Sequence, residues 1–179
     1  MALLRNAATA ELTTAELAAV RRMVFGAFGE RFDEHDWDHS LGGTHVLAVE
    51  DGEVVAHGAV VPRTLLAGQR ALRTGYVEAV ATRADRRGRG LATLVMREVG
   101  QVVQRGYELG ALGDGSGIPG FYQRLGWETW QGPTFVAAPD GQRRTADEDG
   151  SILVLRTPAT GELDPGAPLT CDWRAGDAW

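Results

Sequence analysis

Three arginines and two glycines share the stretch at residues 86–90, which reads RRGRG. It follows an apolar, strand-like segment and precedes an apolar, helix-like one. Because the glycines carry no side chains, the unpaired N–H groups at the start of the helix are exposed and, with the helix dipole, favour an anion. The arginines add positive charge around them. We therefore interpret this turn as a phosphate-binding site.

Other interpretations of the turn stay open at this point. Neither common phosphate-loop pattern is present: there is no GxxxxGK[ST], and GxGxxG fails because Ala92 and Thr93 follow the last glycine. An ordinary solvent-exposed turn with arginines for solubility explains RGRG alone equally well. An arginine-glycine RNA-binding segment is disfavoured by the acidic net charge and by the apolar helix that follows.

The length and composition bound the class of protein. A chain of 179 residues can bury one substantial core, so we expect a single domain over residues 1–179. The net charge of -6 argues against nucleic-acid binding and is compatible with a cationic ligand. The N-terminal apolar run is too short for a signal peptide, and no apolar stretch approaches the roughly 20 residues of a membrane span. We therefore expect a cytoplasmic protein, and its only cysteine, Cys171, excludes an internal disulfide.

The N-terminal quarter of the chain is predicted to be helical. A helix begins at a capping box formed by Thr13 and Glu16 and ends at Gly26 and Gly29, with apolar residues recurring on one face. The segment ERFDEHDWDHSLGG then predicts a short helix or a surface loop.

Three strands and a long helix surround the arginine-glycine turn. THVLAVE and EVVAHGAVV flank Asp51 and Gly52, a strong hairpin signal, and Pro62 and Gly68 punctuate the chain after them. ALRTGYVEAVAT predicts a third strand that runs into the turn. The helix after the turn stops at Gly106. Its inner face is predicted to carry Leu91, Leu94, Val95, Val99 and Val102.

The C-terminal half alternates short strands with turns. YELGALGDG, ETWQGPTFVAA and SILVLRT predict strands, GFYQRLGW one or two helical turns, and residues 139–150 a polar loop. Two helices, an antiparallel meander, a long helix and further strands predict an α/β (α+β) fold: a mixed, mostly antiparallel central sheet flanked by helices.

The histidines do not predict a metal site. His35, His39, His45 and His57 are scattered over loop and strand without a ligand-like spacing. We expect most of them to be structural or exposed, although His35, beside Asp36, could line a substrate cleft.

The segment Arg87-Gly88-Arg89-Gly90-Leu91-Ala92 resembles the Q/R-x-x-G-x-G/A signature of the GNAT acetyltransferase superfamily. In that superfamily this turn binds the pyrophosphate of acetyl-CoA, and the preceding strand bonds the pantetheine arm. The resemblance implies a GNAT fold with acetyl-CoA as co-substrate. The cofactor-binding residues it implies are Val80, Ala81, Thr82, Arg87, Gly88, Arg89, Gly90 and Ala92.

The resemblance extends over nearly the whole chain to one family. GAF, DWDHSLGGTHVLA, GYVEAVAT, YELGAL, FYQRLGW and CDWRAGDAW are similar, in the same order, to segments of the aminoglycoside 2'-N-acetyltransferases. This implies acetylation of the 2'-amino group of an aminoglycoside antibiotic by a homodimer that uses no metal, with either antibiotic resistance or cell-envelope metabolism as its role.

The same resemblance implies roles for individual residues. Glu78 falls on the family's general base, acting through water, and Tyr122 on its general acid. We assign the backbone N–H of Val80 to the oxyanion that forms during transfer. The acids expected to bind the polycationic sugar are Asp36, Asp147, Glu148, Asp149, Asp172, Asp177 and the terminal carboxylate of Trp179.

Without the resemblance, simpler interpretations hold for these residues. Glu78 would be an exposed strand carboxylate paired with an arginine such as Arg73, Tyr122 would pack in the core, and the tail would fray after a last strand that buries Trp173. Two other functions also stay open: acetylation of another amine, such as a polyamine or an amino-sugar precursor, and catalytically silent binding of acyl-CoA or antibiotic.

Overall fold

The computed structural model describes residues 2–179, which contain three α-helices and ten β-strands. The helices are α1 (Thr14–Phe28), α2 (Glu34–His39) and α3 (Leu91–Gly106). The strands are β1 (Leu3–Ala8), β2 (Thr44–Glu50), β3 (Glu53–Ala67), β4 (Arg70–Thr82), β5 (Leu109–Gly113), β6 (Glu128–Thr129), β7 (Thr134–Ala138), β8 (Gly141–Arg144), β9 (Ile152–Arg156) and β10 (Leu169–Asp172). None of the helices in this part of the chain has the length and apolar character that a membrane span requires.

The strands are hydrogen-bonded in the order β6-β9-β5-β4-β3-β10-β7-β8, and β2 pairs with β3 and with β1. The β4–β5 and β7–β10 pairs are parallel. The β1–β2, β2–β3, β3–β10, β5–β9, β6–β9 and β7–β8 pairs are antiparallel. The predicted mixed, mostly antiparallel sheet with helices is confirmed.

The chain divides into two compact units. The first consists of the residues up to Val61 and of Val77–Val102, and the second of Pro62–Tyr76 and Val103–Trp179. Strands β3 and β4 and helix α3 run on from one unit into the other.

In the first unit, α1 starts as predicted. The Thr13 hydroxyl accepts the N–H of Glu16, and the Glu16 carboxylate accepts the N–H of Thr13. Of the two glycines predicted to end the helix, Gly29 does so as its C-cap, whereas Gly26 lies inside the helix, which continues to Phe28. A glycine inside a helix costs only about 1 kcal/mol, and burial of the apolar face outweighs that cost. That face places Val20 and Val24 in the core.

The predicted hairpin of β2 and β3 is confirmed. Asp51 and Gly52 have φ of 51° and 81°, as a tight two-residue turn requires. The strand does not end at Pro62, however, and continues to Ala67. The β2 pairs reach Val60 and the β10 pairs begin at residue 65, so the missing N–H of Pro62 lies outside both sets.

Strand β1 is not predicted from the sequence. It pairs with β2 from Thr44 to Val49, but most of its side chains are exposed. An edge strand of this kind has no alternating apolar pattern, so its backbone pairing is its main source of order.

Helix α3 has the predicted limits and a slightly rotated buried face. Leu91, Val95 and Val99 are buried as expected. Leu94 and Val102 are only half-buried, and their predicted place on the inner face is taken by Met96 and Val103.

The second unit is built around the buried strand β5. The largest side chains in its core include Trp127 and Trp130. A Cβ at Gly110 would lie 2.9 Å from Val103 and 3.1 Å from both Leu155 and Trp127, so packing requires glycine there. The segment 139–150, predicted to be a loop, also contains β8 and a 3₁₀ turn at Ala146–Glu148. The pairing of β8 with β7 explains this difference, since the polar strand shows no apolar alternation.

Candidate active site

The turn between β4 and α3 has the geometry of an anion site. Gly88 and Gly90 have φ of 74° and 76°, and a Cβ added to either would meet no atom within 4 Å. The first hydrogen bond of α3 runs from the Leu94 N–H to the Gly90 carbonyl, so the earlier N–H groups of the helix have no partner within it. An open, glycine-lined helix N-terminus of this kind fits the diphosphate of a CoA thioester.

Two of the three arginines of this turn form ion pairs with a carboxylate that is distant in the sequence. Glu50, at the end of β2, lies 3.4 Å from Arg86 and 3.0 Å from Arg89. Arg87 is exposed and, among residues 2–179, forms no ion pair. We conclude that Arg87 is the arginine most available to an incoming anion, while Glu50 fixes the other two. No local motif marks Glu50, because the contact depends on pairing between distant strands.

Strand β4 contains a backbone conformation that is rare for a non-glycine residue. Ala79 has a φ of 52°, in the left-handed region that costs an L-residue roughly 1–2 kcal/mol. Its side chain is buried in the core of the first unit, and its carbonyl oxygen lies 2.8 Å from Nδ1 of His57. The neighbouring predicted base, Glu78, is half-buried, as are Val80 and Thr82, whereas Ala81 is buried.

Tyr122 lies in the second unit, immediately before the 3₁₀ turn Gln123–Leu125, and is 5% exposed. Its ring makes edge contacts with Phe121 at 4.9 Å and Trp127 at 6.5 Å. Burial raises the pKa of the Tyr122 phenol above its usual range, and the negative charge of Asp114 raises it further. The phenol therefore carries its proton at neutral pH.

Asp114 belongs to the GDGSGIPG loop, which is ordered by local hydrogen bonds. The Asp114 carboxylate accepts the N–H of Ser116 at 3.0 Å and its hydroxyl at 2.6 Å, and the Asp114 N–H donates to the Ser151 carbonyl at 2.9 Å. These contacts fix a glycine-rich loop next in sequence to Tyr122.

The C-terminal tail is anchored by a buried arginine. The side chain of Arg63, on β3, is 4% exposed. Its Nε donates to the Asp172 carboxylate at 2.9 Å, its Nη2 to the Asp172 carbonyl at 2.7 Å and its Nη1 to the Ala178 carbonyl at 2.8 Å. The guanidinium also lies over the Tyr76 ring, 4.8 Å from its centroid. The tail is therefore part of the folded unit and does not fray.

The last residue is also held in place. Trp179 is 7% exposed, and its indole N–H donates to the Thr145 hydroxyl at 2.9 Å. Its backbone N–H donates to the Asp177 carboxylate at 3.1 Å, and its carbonyl accepts from Arg174 at 2.9 Å. By contrast, Trp173 is 52% exposed and does not lie in the core.

The acidic turn at Ala146–Glu148 lies next to this end of the tail. Thr145, the partner of the Trp179 indole, donates to Thr134, whose hydroxyl is 3.0 Å from the Asp149 carboxylate. Arg144 pairs with Asp149 and lowers the pKa of that carboxyl. The structure thus brings Trp179 and Asp149 into one hydrogen-bond network.

The remaining predicted acids have differing surroundings. Glu148 accepts the Ser151 hydroxyl at 2.7 Å, and Asp147 is exposed. Asp36, in the first unit, accepts the N–H of Asp33 at 3.0 Å and so completes the cap of α2. Arg63 and Arg144, the partners of Asp172 and Asp149, are not identified from the sequence because only the fold brings them together.

Comparisons with known proteins agree with this architecture. Residues 8–130 match the model of the acetyltransferase (GNAT) domain. The chain is 49% identical over 173 residues to an aminoglycoside 2'-N-acetyltransferase from Mycolicibacterium fortuitum, and the match covers 96% of this chain and 89% of that protein.

Solved structures show the same fold at low sequence identity. The GNAT family N-acetyltransferase YhbS from Escherichia coli, solved with CoA, is 18% identical, with a TM-score of 0.65 over 95% of this chain and 89% of that one. A GNAT family acetyltransferase from Brucella melitensis, solved with acetyl-CoA, is also 18% identical, with a TM-score of 0.61 over 97% of both chains. The chain therefore belongs to the GNAT acetyltransferase superfamily and, within it, to the family of the aminoglycoside 2'-N-acetyltransferases.

Proposed function

We propose that this protein transfers the acetyl group of acetyl-CoA to the 2'-amino group of an aminoglycoside by direct attack of the amine on the thioester. The observation that carries the proposal is the 49% identity, over nearly the full length of both chains, to a protein of that name. Acetyl-CoA supplies an activated acyl group, and the residues of the chain bind it, orient it and move protons.

The first unit supplies the candidate residues for the cofactor. The N–H groups at the start of α3, opened by Gly88 and Gly90, would hold the diphosphate, with Arg87 as its cationic partner. The backbone of Val80, Ala81 and Thr82 would bond the pantetheine arm. Arg89 belongs to the same turn, and Ala92 follows it in the first turn of α3.

Proton transfer requires a base and an acid. An aminoglycoside amine is mostly protonated at neutral pH and is then no nucleophile, so Glu78 would remove its proton, through water. The N–H of Val80 would stabilise the oxyanion formed by attack. Tyr122, whose phenol is protonated at neutral pH, would donate its proton to the departing sulfur.

The acids proposed to bind a polycationic acceptor fall into two groups, those that already contact an arginine through a side-chain ion pair and those that do not. Asp149 and Asp172 are paired with Arg144 and Arg63, so part of their charge is already balanced. We propose that these two mainly shape the acceptor wall. The charge for the ammonium groups would come mainly from Asp36, Asp147, Glu148 and Asp177, since the main-chain carboxyl oxygen of Trp179 already accepts from Arg174 at 2.9 Å.

The proposal is tested by measuring release of the CoA thiol with a panel of amines. The panel contains aminoglycosides that carry or lack a 2'-amino group, spermidine and a peptide amine. We expect turnover only with the compounds that carry the 2'-amino group. Turnover with spermidine or the peptide would assign another acceptor, and binding of acetyl-CoA without turnover on any amine would indicate a silent binder.

The two tail tryptophans provide a matched test of the acceptor wall. Trp179→Ala removes a buried indole that bonds Thr145, whereas Trp173→Ala removes an exposed one. We expect Trp179→Ala to raise KM for the aminoglycoside about tenfold, with KM for acetyl-CoA unchanged within about twofold, because mispositioned acids lose about 1.4 kcal/mol of binding. Trp173→Ala should change neither constant more than about twofold. The reverse pattern would assign the sugar contact to Trp173.

Some properties implied by the family are also proposals. We propose a homodimer of single-domain subunits that acts in the cytoplasm.

A further inference from the structure

Two buried histidines in the first unit have no place in the proton transfers proposed above. His45, on β2, and His57, on β3, are both 0% exposed. His45 Nδ1 lies 2.8 Å from His57 Nε2, and His57 Nδ1 lies 2.8 Å from the carbonyl oxygen of Ala79. The chain of contacts therefore ends on the residue with the left-handed backbone in β4.

The chemistry of the partners gives a consistent direction for each hydrogen bond in this chain. The Ala79 carbonyl only accepts, so His57 carries its proton on Nδ1, and its Nε2 is an acceptor. His45 must then donate from Nδ1, which leaves its own Nε2 to accept from the Thr9 hydroxyl at 2.8 Å. The Thr9 oxygen in turn accepts the Gly42 N–H at 2.8 Å. Every one of these groups is satisfied with both imidazoles neutral, and the Thr9 hydroxyl lies closer to His45, at 2.8 Å, than to its other acceptor, the Gly43 carbonyl, at 3.5 Å.

Burial supports this protonation state. Desolvation and, after it, repulsion from the nearby His45 lower the pKa of His57 to about 3. Desolvation also lowers the pKa of His45. At neutral pH both imidazoles are thus uncharged. His45 donates to His57, and His57 donates to the Ala79 carbonyl on β4.

The carbonyl that receives this bond belongs to the same peptide group as the N–H of Val80. A trans peptide is planar, and its C=O and N–H point in opposite directions. Holding the Ala79 carbonyl toward His57 therefore points the Val80 N–H away from His57. A rotation of this one peptide group would break the bond to His57 and redirect the Val80 N–H.

We propose that His57, held in one tautomer by His45, is a positioning residue for acetyl transfer: it fixes the Ala79–Val80 peptide so that the Val80 N–H is aimed at the acyl oxygen. The inference rests on the role proposed above for that N–H. His57 touches neither substrate and acts only through the Ala79 carbonyl. The strain at Ala79 explains why a dedicated donor is needed, since an unheld alanine favours negative φ.

Two substitutions of similar size separate positioning from simple packing. In His57→Asn the amide nitrogen can take the place of Nδ1 and donate to Ala79, whereas in His57→Gln the amide lies nearer the place of Nε2 and leaves the Ala79 carbonyl unpaired. Both remove the ring, and only His57→Gln keeps an amide group near His45. We expect kcat to fall at least tenfold more in His57→Gln than in His57→Asn, because a small misplacement at the reacting centre is costly.

Ligand affinity gives a readout that does not depend on turnover. CoA lacks the acetyl carbonyl, so calorimetric titration should give the same CoA affinity in wild type, His57→Asn and His57→Gln. Acetyl-CoA affinity should fall only in His57→Gln. In the full-length wild-type chain, ¹⁵N NMR should find His57 neutral and protonated on Nδ1.

Several results would overturn the inference. Equal loss of CoA and acetyl-CoA affinity in both variants, or equal kcat values, would make the pair merely part of the core. A proton on Nε2 of His57 would contradict the bond to Ala79. If the wild type acetylates no aminoglycoside, the proposed function fails, yet the affinities and the tautomer still decide the role of His57.

If His57→Gln does not fold, the tautomer in the wild type and the two affinities in His57→Asn decide the role of His57. Loss of acetyl-CoA affinity in His57→Asn without loss of CoA affinity would count against the proposal.

Discussion

Replacing Tyr122 by phenylalanine is expected to lower kcat about 100-fold or more at neutral pH while leaving the fold intact. General acid catalysis contributes typically about 10²–10⁴ in rate, and the phenylalanine ring has no proton to give. The ring contacts with Phe121 and Trp127 do not involve the hydroxyl and should survive. Burial and Asp114 both raise the pKa of the Tyr122 phenol, so the phenol should stay protonated up to pH 9. The wild-type rate should therefore not fall in this range through loss of the phenol proton. Stopped-flow measurement of CoA thiol release at saturating substrates checks the result.

Tyr107 is the matched control for this substitution. It is half-buried, and burial raises the pKa of its phenol as well, but no role in the reaction is assigned to it. Tyr107→Phe should leave kcat within about twofold of wild type. A loss of less than about twofold in Tyr122→Phe would remove the tyrosine from the proton transfer and leave it as a packing residue.

The elements predicted correctly are those specified by neighbouring residues. The capping box at Thr13, the Asp51–Gly52 turn and the limits of α3 each depend on a few adjacent side chains. The arginine-glycine turn is of the same kind, since its glycines and the helix start that they expose are consecutive in the chain. Local signals of this type are visible in a sequence because the competing conformations are also local.

The elements missed are those specified by distant partners. Strand β1 is ordered by β2, and Pro62 lies inside β3 between the residues that pair with β2 and those that pair with β10. Sequence patterns record which side chains are buried, but they do not record which backbone edge will be covered. Tertiary contacts therefore override the local preferences in both places.

The candidate site divides in the same way. The tail was expected to build an acceptor wall because of its acids and tryptophans, but the anchor that orders it is Arg63, 109 residues away from its partner Asp172. Nothing beside Arg63 in the sequence distinguishes it from a surface arginine. Similarly, Glu50, the last residue of β2, forms ion pairs with two arginines of the arginine-glycine turn. The residues that could do chemistry can be predicted from short stretches of sequence. The residues that hold them in place cannot, because they are distant in the sequence.

Charge placement in the second unit follows from the need to fold without the acceptor. A wall of unpaired carboxylates would repel itself in the free enzyme. Arg144 and Arg63 reduce that repulsion by pairing with Asp149 and Asp172. The Arg144–Asp149 pair is partly exposed and contributes little stability on its own, whereas the Arg63 side chain is buried and anchors the tail. If the acids bind ammonium groups as proposed, we expect the main effect of the two pairs to be on the positions of the neighbouring acids.

Replacing Glu78 by glutamine is expected to lower kcat/KM for the aminoglycoside about 100-fold to 10,000-fold at pH 7. The substitution keeps the size of a half-buried side chain on β4 and removes its ability to take a proton. The reactive species is the neutral amine, and its fraction in solution rises about tenfold per pH unit below the amine pKa. The variant depends on that fraction, whereas the wild type generates the neutral amine at the site. The loss should therefore narrow by about tenfold or more between pH 7 and pH 9.

Glu128 provides the control. It is a strand glutamate like Glu78 but is exposed on β6, where its carboxylate lies 3.4 Å from Arg156. Glu128→Gln should leave kcat/KM within about twofold at every pH. Activity of the Glu78→Gln protein equal to wild type would eliminate the glutamate as the base. A loss that stays constant from pH 7 to pH 9 would show that Glu78 binds the acceptor without removing its proton, because only proton removal can be replaced by a rise in pH.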